Sequence, residues 1–418
     1  MKDSLVFDVF FCKKLEGDRR MEEKITVVDS VMGSGKTSWA IEYMNTHYDE
    51  NILYITPYLD ETERIKESTI KDIKCPKNLG EGKLGNILEL LRSQEDIAST
   101  HALFLKLTEN CKETIKEGHY TLFLDETIAA VEPYNVKYKD DIDYLLKKGS
   151  IAIDESGFIQ WIDDDLDTRY NPIKVLAQNH SLFFVNQKLL MWRYPPEIFT
   201  LFDKVYILTY LFDASILKYY FDMHHIAYET KSVKKSDNKF VLCDYYMPNT
   251  KEFAKKIHIY DKSDLNENFP QKITGLSASW FRNNANADKI KKLQKNIYNF
   301  FTNKEPAKSK KIMWTTFKEM KRKLSGKGYT KGFVSCNCRA TNDFSGTDHL
   351  AYCLNIYPHV GVNQFFVQHE IIMDSDKYAL SEMLQWIWRS NIRNDGEIWI
   401  YIPSRRMRKL LQDWLTQN

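Results

Sequence analysis

Short apolar runs recur along the first two hundred residues, separated by longer charged stretches whose apolar positions return every three or four. Lys24-Ile-Thr-Val-Val28 and residues 51–56, 120–124 and 204–209 are rich in β-branched and aromatic side chains, and Pro57 closes the second of them. Each predicts a strand. Residues 61–72 and 102–116 carry helical period between them. Strands alternating with helices build βαβ units and a parallel sheet. After residue 140 the rhythm breaks. Residues 151–161 predict a β-hairpin turned at Glu155-Ser-Gly157, and an acidic run, 163–167, follows. Residues from about 140 to 195 therefore read as an insertion into the first α/β unit. The polar stretch 231–238 has no period and reads as a linker. Beyond it, 240–243, 311–315, 351–355 and 397–402 predict strands; 285–302, 377–393 and 404–415 predict helices. The expected architecture is α/β: an extension over 1–21, a first domain over 22–235 that carries the insertion, and a second domain over 236–418.

Composition narrows the class. The chain has 418 residues, 43% hydrophobic and 28% charged, as in ordinary water-soluble folds of two or three domains. Its formal net charge is only +2, so affinity for nucleic acid has to come from a local surface. No apolar run approaches the roughly 20 residues that span a bilayer. The apolar stretch 4–11 is short, holds Asp8 and precedes no small-residue cleavage site. No membrane partner is expected. The seven cysteines are dispersed, which points to reduced thiols and a cytoplasmic location. Cys336 and Cys338, with His349 nearby, lack a second ligand pair for zinc.

The strongest chemical signal is Ser30-Val-Met-Gly-Ser-Gly-Lys-Thr37, set between the first strand and a helical pattern. Strand, glycine-rich turn, Gly-Lys-Thr and helix form a polyphosphate cradle: loop N–H groups and the helix N-terminus face the anion. Met32, Gly33, Ser34, Gly35, Lys36, Thr37 and Ser38 are the expected cradle. Lys36 reaches the β/γ-phosphates and the Thr37 hydroxyl is a Mg²⁺ ligand. Ser30 stands where the first glycine of this pattern is expected. A second signal is Leu122-Phe-Leu-Asp125-Glu126, an apolar strand that delivers two acids to its C-terminal edge. Asp125 is the expected metal ligand and Glu126 the general base for water. A third is Gln385, Arg389 and Arg393, spaced i, i+4, i+8 along a predicted helix. Such a stripe suits a sensor of the γ-phosphate, with arginine stabilising charge in phosphoryl transfer. The cofactors expected are ATP and Mg²⁺.

In these motifs the sequence resembles the superfamily 2 helicases, in particular divergent DEAD-like forms of phage replication modules. Residues 30–37 resemble motif I and Asp125-Glu126-Thr-Ile128 motif II. Tyr54-Ile-Thr-Pro57 resembles motif Ia, Ser99-Thr-His101 motif Ib, residues 208–214 motif III, Trp314-Thr-Thr-Phe317 motif IV, and 385–393 motif VI. Trp388 replaces the motif VI glycine, and Cys338-Arg-Ala-Thr-Asn342 is the nearest candidate for motif V. The resemblance implies two tandem RecA-like parallel-sheet domains, with a β-hairpin element inserted in the first and ATP in the cleft. It implies a helicase or translocase of replication or recombination, acting on single-stranded or forked nucleic acid, DNA in preference to RNA. It places Thr56, Pro57, Thr100, His101 and Thr315 along the strand and allows replication proteins as partners. The alternative is a P-loop ATPase that works as a switch or loader on a protein partner without unwinding.

Overall fold

The computed structural model describes residues 24–134, 141–163, 169–186, 189–266, 273–336 and 343–417. The extension over 1–21, residues 164–167 of the acidic run and the motif V candidate 338–342 lie outside them.

The first strand, β1 (Ile25–Asp29), is buried along its whole length, as a strand covered by helices on both faces must be. Next come β2 (Asn51–Thr56), β3 (Ile97–Thr100) and β4 (Tyr120–Asp125). The chain then leaves this sheet for β5 (Val131–Pro133), β6 (Ile151–Ile153), β7 (Ile159–Trp161), β8 (Leu182–Val185) and β9 (Leu189–Arg193). It returns as β10 (Lys204–Thr209), β11 (Glu229–Ser236) and β12 (Lys239–Asp244). The sheet order is β12-β11-β1-β10-β4-β2-β3, parallel except for β12. Period-2 alternation sorts the side chains. Val27, Leu53, Ile55, Leu122 and Leu124 enter the core on one face. Val28, Ile52, Tyr54, Phe123 and Leu208 enter that on the other.

The stretch read as a linker is β11. It pairs in parallel with β1, Val28 opposite Lys231, and turns through Asp237 and Asn238, both at positive φ, into β12. The first sheet thus runs to Asp244, past the expected boundary at 235. A polar hairpin at a sheet edge carries no apolar alternation to announce it. The helix expected over 102–116 is two, His101–Phe104 and Glu109–Glu117. Thr108 separates them, its hydroxyl accepting the Cys111 N–H at 3.4 Å to begin the second.

The insertion is larger than a hairpin. The β6–β7 hairpin forms as expected, and β5, β9 and β8 add an antiparallel sheet. Helices Asp141–Lys148 and Asn171–Gln178 complete a small core around Ile142, Leu145, Ile159 and Ile173.

In the second domain β13 (Ile257–Tyr260), β14 (Ile312–Thr315), β15 (His349–Tyr352) and β16 (Ile398–Tyr401) form a parallel sheet in the order β13-β16-β15-β14. The molecule is therefore a two-domain α/β fold with two parallel sheets. The helix Val360–Gln368 of the second domain lies against β5, β8 and β9. Its Val362, Phe365 and Phe366 join the core of the first domain, and the rings of Phe365 and Phe183 are 4.9 Å apart. Gly361 gives the backbone room there: a Cβ would stand 2.7 Å from Met191 Sδ. Phe365→Ala is expected to lower stability to chemical denaturation by about 3–5 kcal/mol. An unchanged midpoint would remove this helix as the brace between the domains.

Candidate active site

The loop after β1 is held from three sides. Ser30 N–H donates to Thr209 O at 3.0 Å, and its Oγ accepts Val233 N–H at 2.9 Å. Ser232 Oγ–H donates to Asp29 O at 2.9 Å. A serine in place of the first glycine thus fastens the loop to β11. The positions that need glycine are Gly33 (φ +84) and Gly35 (φ +98). At Gly35 a Cβ would also strike the ring of Phe240 from β12. Gly35 caps the helix Lys36–Thr46, whose first turn contains Thr37 and Ser38. First-turn N–H groups have no acceptor within their helix. Ser34 Oγ is buried and has no hydrogen-bond partner. These features fit a phosphate.

Lys36 is the electrostatic centre. Its ammonium donates to Ser30 O and, at 3.1 Å, to Val31 O. Burial pushes its pKa down to about 8; the charges of Asp125, Asp29 and Glu126 oppose that shift and that of Arg393 adds to it. Asp125, at the end of β4, accepts the Tyr54 hydroxyl at 2.9 Å. Burial, then repulsion from Glu126, raises its pKa to about 6 against the pull of Tyr54 and Lys36. Glu126 sits at φ +65, and its N–H donates to Leu208 O at 2.9 Å. Left-handed backbone at a non-glycine residue is strained.

Asp29 was not anticipated. Its carboxylate accepts the N–H groups of Leu211 at 3.0 Å and Phe212 at 2.8 Å. Leu211 is itself left-handed, at φ +55. Burial raises the Asp29 pKa, and the two N–H groups and Lys36 lower it. The available signal was an acid at the end of an apolar strand, one residue before the loop.

The second domain closes on this loop. Val31 and Met32 pack against its core, which contains Trp388 and Ile392. The stripe expected along one helix is different in form. The helix Ser375–Ile387 ends before the arginines, where Ser390 Oγ–H donates to Ile387 O at 2.6 Å. Arg393 lies on a separate 3-10 turn, Asn391–Asn394, that ends at left-handed Asp395. Gln385 is half-buried, with Nε2 3.5 Å from Ser381 Oγ. Arg389 is buried, whereas Arg393 is exposed and its charge acts on Lys36.

The expected strand contacts are placed differently. Thr56 and Thr315 are buried, and neither Oγ1 has a hydrogen-bond partner. Neither hydroxyl faces solvent. Thr100 caps the next helix through the Leu103 N–H at 3.4 Å. His101 Nε2 is 3.0 Å from Asp125 O, and Pro57 is half-buried beside Thr56. Trp314 of the stretch resembling motif IV belongs to the core.

Asp125 provides a stability test. A carboxyl whose folded pKa lies above its unfolded value costs stability when ionised. That cost is absent below the ordinary carboxylate range and complete above about pH 6. Asp125→Asn is expected to stabilise the protein by about 2–3 kcal/mol at alkaline pH, the gain shrinking to none in acid. Chemical unfolding at several pH values measures it; destabilisation throughout would contradict the assignment of a buried, costly charge.

Comparisons with known proteins agree with this architecture. Residues 251–415 match the YonV C-terminal Rossmann-like domain, and residues 131–192 the YonV middle domain. The structure of S. tokodaii Xpd4 superposes with a TM-score of 0.51 at 13% identity, over 98% of this chain and 97% of that one. At that identity the likeness is one of fold. Among the described residues no helix is long and apolar enough to cross a membrane. The SPbeta prophage-derived uncharacterized protein YonV of Bacillus subtilis (strain 168) is 43% identical over 415 residues, which cover 94% of this chain and 99% of that protein. This chain belongs to the YonV family.

Proposed function

We propose that this protein is a helicase-type ATP hydrolase that couples the closing and opening of its cleft to movement along a nucleic-acid strand. The observation that carries the reading is the position of Lys36 in the loop, its ammonium bonded to Ser30 O and Val31 O and within the electrostatic reach of Asp125, Asp29, Glu126 and Arg393 of the second domain. The loop N–H groups of residues 32–38 bind the phosphates, and Lys36 neutralises the β/γ oxygens. Thr37 and Asp125 would supply the protein oxygens that hold Mg²⁺, which would neutralise charge on the phosphates. Glu126 orients and deprotonates the attacking water. Arg393 stabilises the charge of the transferred phosphoryl group, and Arg389 and Gln385 of the same segment are its candidate helpers. ATP in the cleft strengthens the contact of the second domain with the loop, and loss of the γ-phosphate weakens it.

The prophage origin of YonV supports a role on phage DNA, in preference to RNA, during replication or recombination in the host cytoplasm. Single-stranded or forked DNA and other replication proteins are the partners this implies. The hydroxyls of Thr56 and Thr315 are buried, so the grip on the strand rests on loop N–H groups and phosphate charge and not on these two side chains. A second reading has one observation in its favour. The Val360–Gln368 helix ties the second domain to the insertion, which restricts opening and suits a switch or loader on a protein partner.

Lys36→Ala is expected to reduce ATP turnover to background with unchanged circular dichroism. Saturating single-stranded DNA is expected to raise wild-type turnover severalfold. Normal turnover in Lys36→Ala removes the site assignment. A wild-type rate indifferent to DNA, RNA and forked duplex replaces the motor with the switch.

A further inference from the structure

The second domain carries a charge pattern that the cleft does not use. Residues 287–331 hold fourteen lysines and arginines against three acids, in a chain whose net charge is only +2. The fold collects many of them on one flank. The helix Ala287–Asn299 turns Ile290, Leu293 and Ile297 into a core that also holds Leu324 and Tyr329. Its opposite face exposes Lys289, Lys292 and Lys295. The short helix Lys321–Leu324 packs beside it, and Gln294 Nε2–H donates to Ser325 O at 2.7 Å to fix the pair. Lys321, Arg322 and Lys323 on that helix are exposed as well. Two of the acids are engaged: Asp288 is 3.4 Å from Lys291, and Glu319 is 3.2 Å from Arg282.

The flank is distinct from the candidate active site. The loop residues Val31 and Met32 meet a different core of the same domain. Its chemistry is also different from that of a single-strand groove. Such grooves stack bases on aromatic rings. Here Phe300, Phe301, Trp314 and Tyr329 are buried, and Tyr298 is the large aromatic exposed on the helix. Lys321 lies over the half-buried ring of Phe333, 4.6 Å from its centroid; cations that so outnumber exposed rings match a regular array of phosphates, the surface that a duplex presents.

We propose that this flank docks the phosphate backbone of duplex nucleic acid, without sequence preference, at a surface apart from the cleft. It holds the duplex while the cleft acts on the strand. The proposal does not depend on ATP hydrolysis.

The test uses the full-length protein with Lys289→Glu, Lys292→Glu, Lys295→Glu and Arg322→Glu combined. Binding of blunt duplex and of single strand is followed by fluorescence anisotropy over a salt series. Duplex affinity is expected to fall about tenfold or more, and the slope of log affinity against log salt to flatten by roughly 3 to 4. Basal ATP turnover and the thermal midpoint should match wild type. If the glutamates lower the midpoint, the same four residues changed to glutamine give the reading, with a smaller loss in the same direction. Lys36→Ala should keep duplex binding; this separates failure of the ATP assignment from failure of the flank. Unchanged duplex affinity and slope, or a wild-type protein that binds no duplex, overturns the proposal. So does a loss confined to an acidic protein or to vesicles of anionic lipid.

Discussion

A desolvated ammonium in the field of three carboxylates is the constraint on which the first domain is built. Removing Lys36 from water is costly, and Asp29, Asp125 and Glu126 offset that cost through their charge. Each carboxylate needs its own support. Asp125 has the Tyr54 hydroxyl, and Asp29 has the N–H groups of Leu211 and Phe212. The backbone takes the left-handed region at Glu126 and Leu211 to bring these groups together. Local strain of this kind persists where the surroundings over-determine it and gathers at functional sites. On the reading proposed here, three acids set against Lys36 and Arg393 favour entry of a polyphosphate together with a divalent cation.

The same contacts connect the loop to the second domain. Asp29 holds the segment that follows Tyr210, and the Tyr210 hydroxyl accepts the indole N–H of Trp414 at 3.1 Å. Trp414 meets Trp388, with ring centroids 5.7 Å apart, at the end of the helix that precedes the arginines. Packed rings and directional hydrogen bonds along this route give a rigid path from the phosphate loop to the Arg393 turn. The insertion adds a second connection. Phe365 and its neighbours reach from the second domain into the first core, so the two domains are joined by a packed brace.

Much of this was legible in the sequence, because the parallel strands are apolar on both faces and their helices are periodic. The phosphate loop was legible because its glycines, lysine and threonine are required by local geometry. What was hidden depended on distant partners. Ser30 read as a departure until Val233 showed what its hydroxyl holds. Residues 231–238 read as a linker because an edge hairpin is polar, although Phe240 at its far side covers Gly35. The helix before Arg389 was extended too far, since helical spacing continues through 393 while Ser390 ends the helix. Asp29 is an acid at a strand end like many others; only the two N–H groups that it receives mark it.

The most direct test of the central claim, that Lys36 and Arg393 act on one bound triphosphate, is calorimetric titration of wild type and Arg393→Ala with a non-hydrolysable ATP analogue and with ADP. Arg393→Ala is expected to weaken the analogue by about tenfold or more, the worth of a charge-assisted contact, while ADP binds as before. Equal losses for both nucleotides, or none for either, would contradict it.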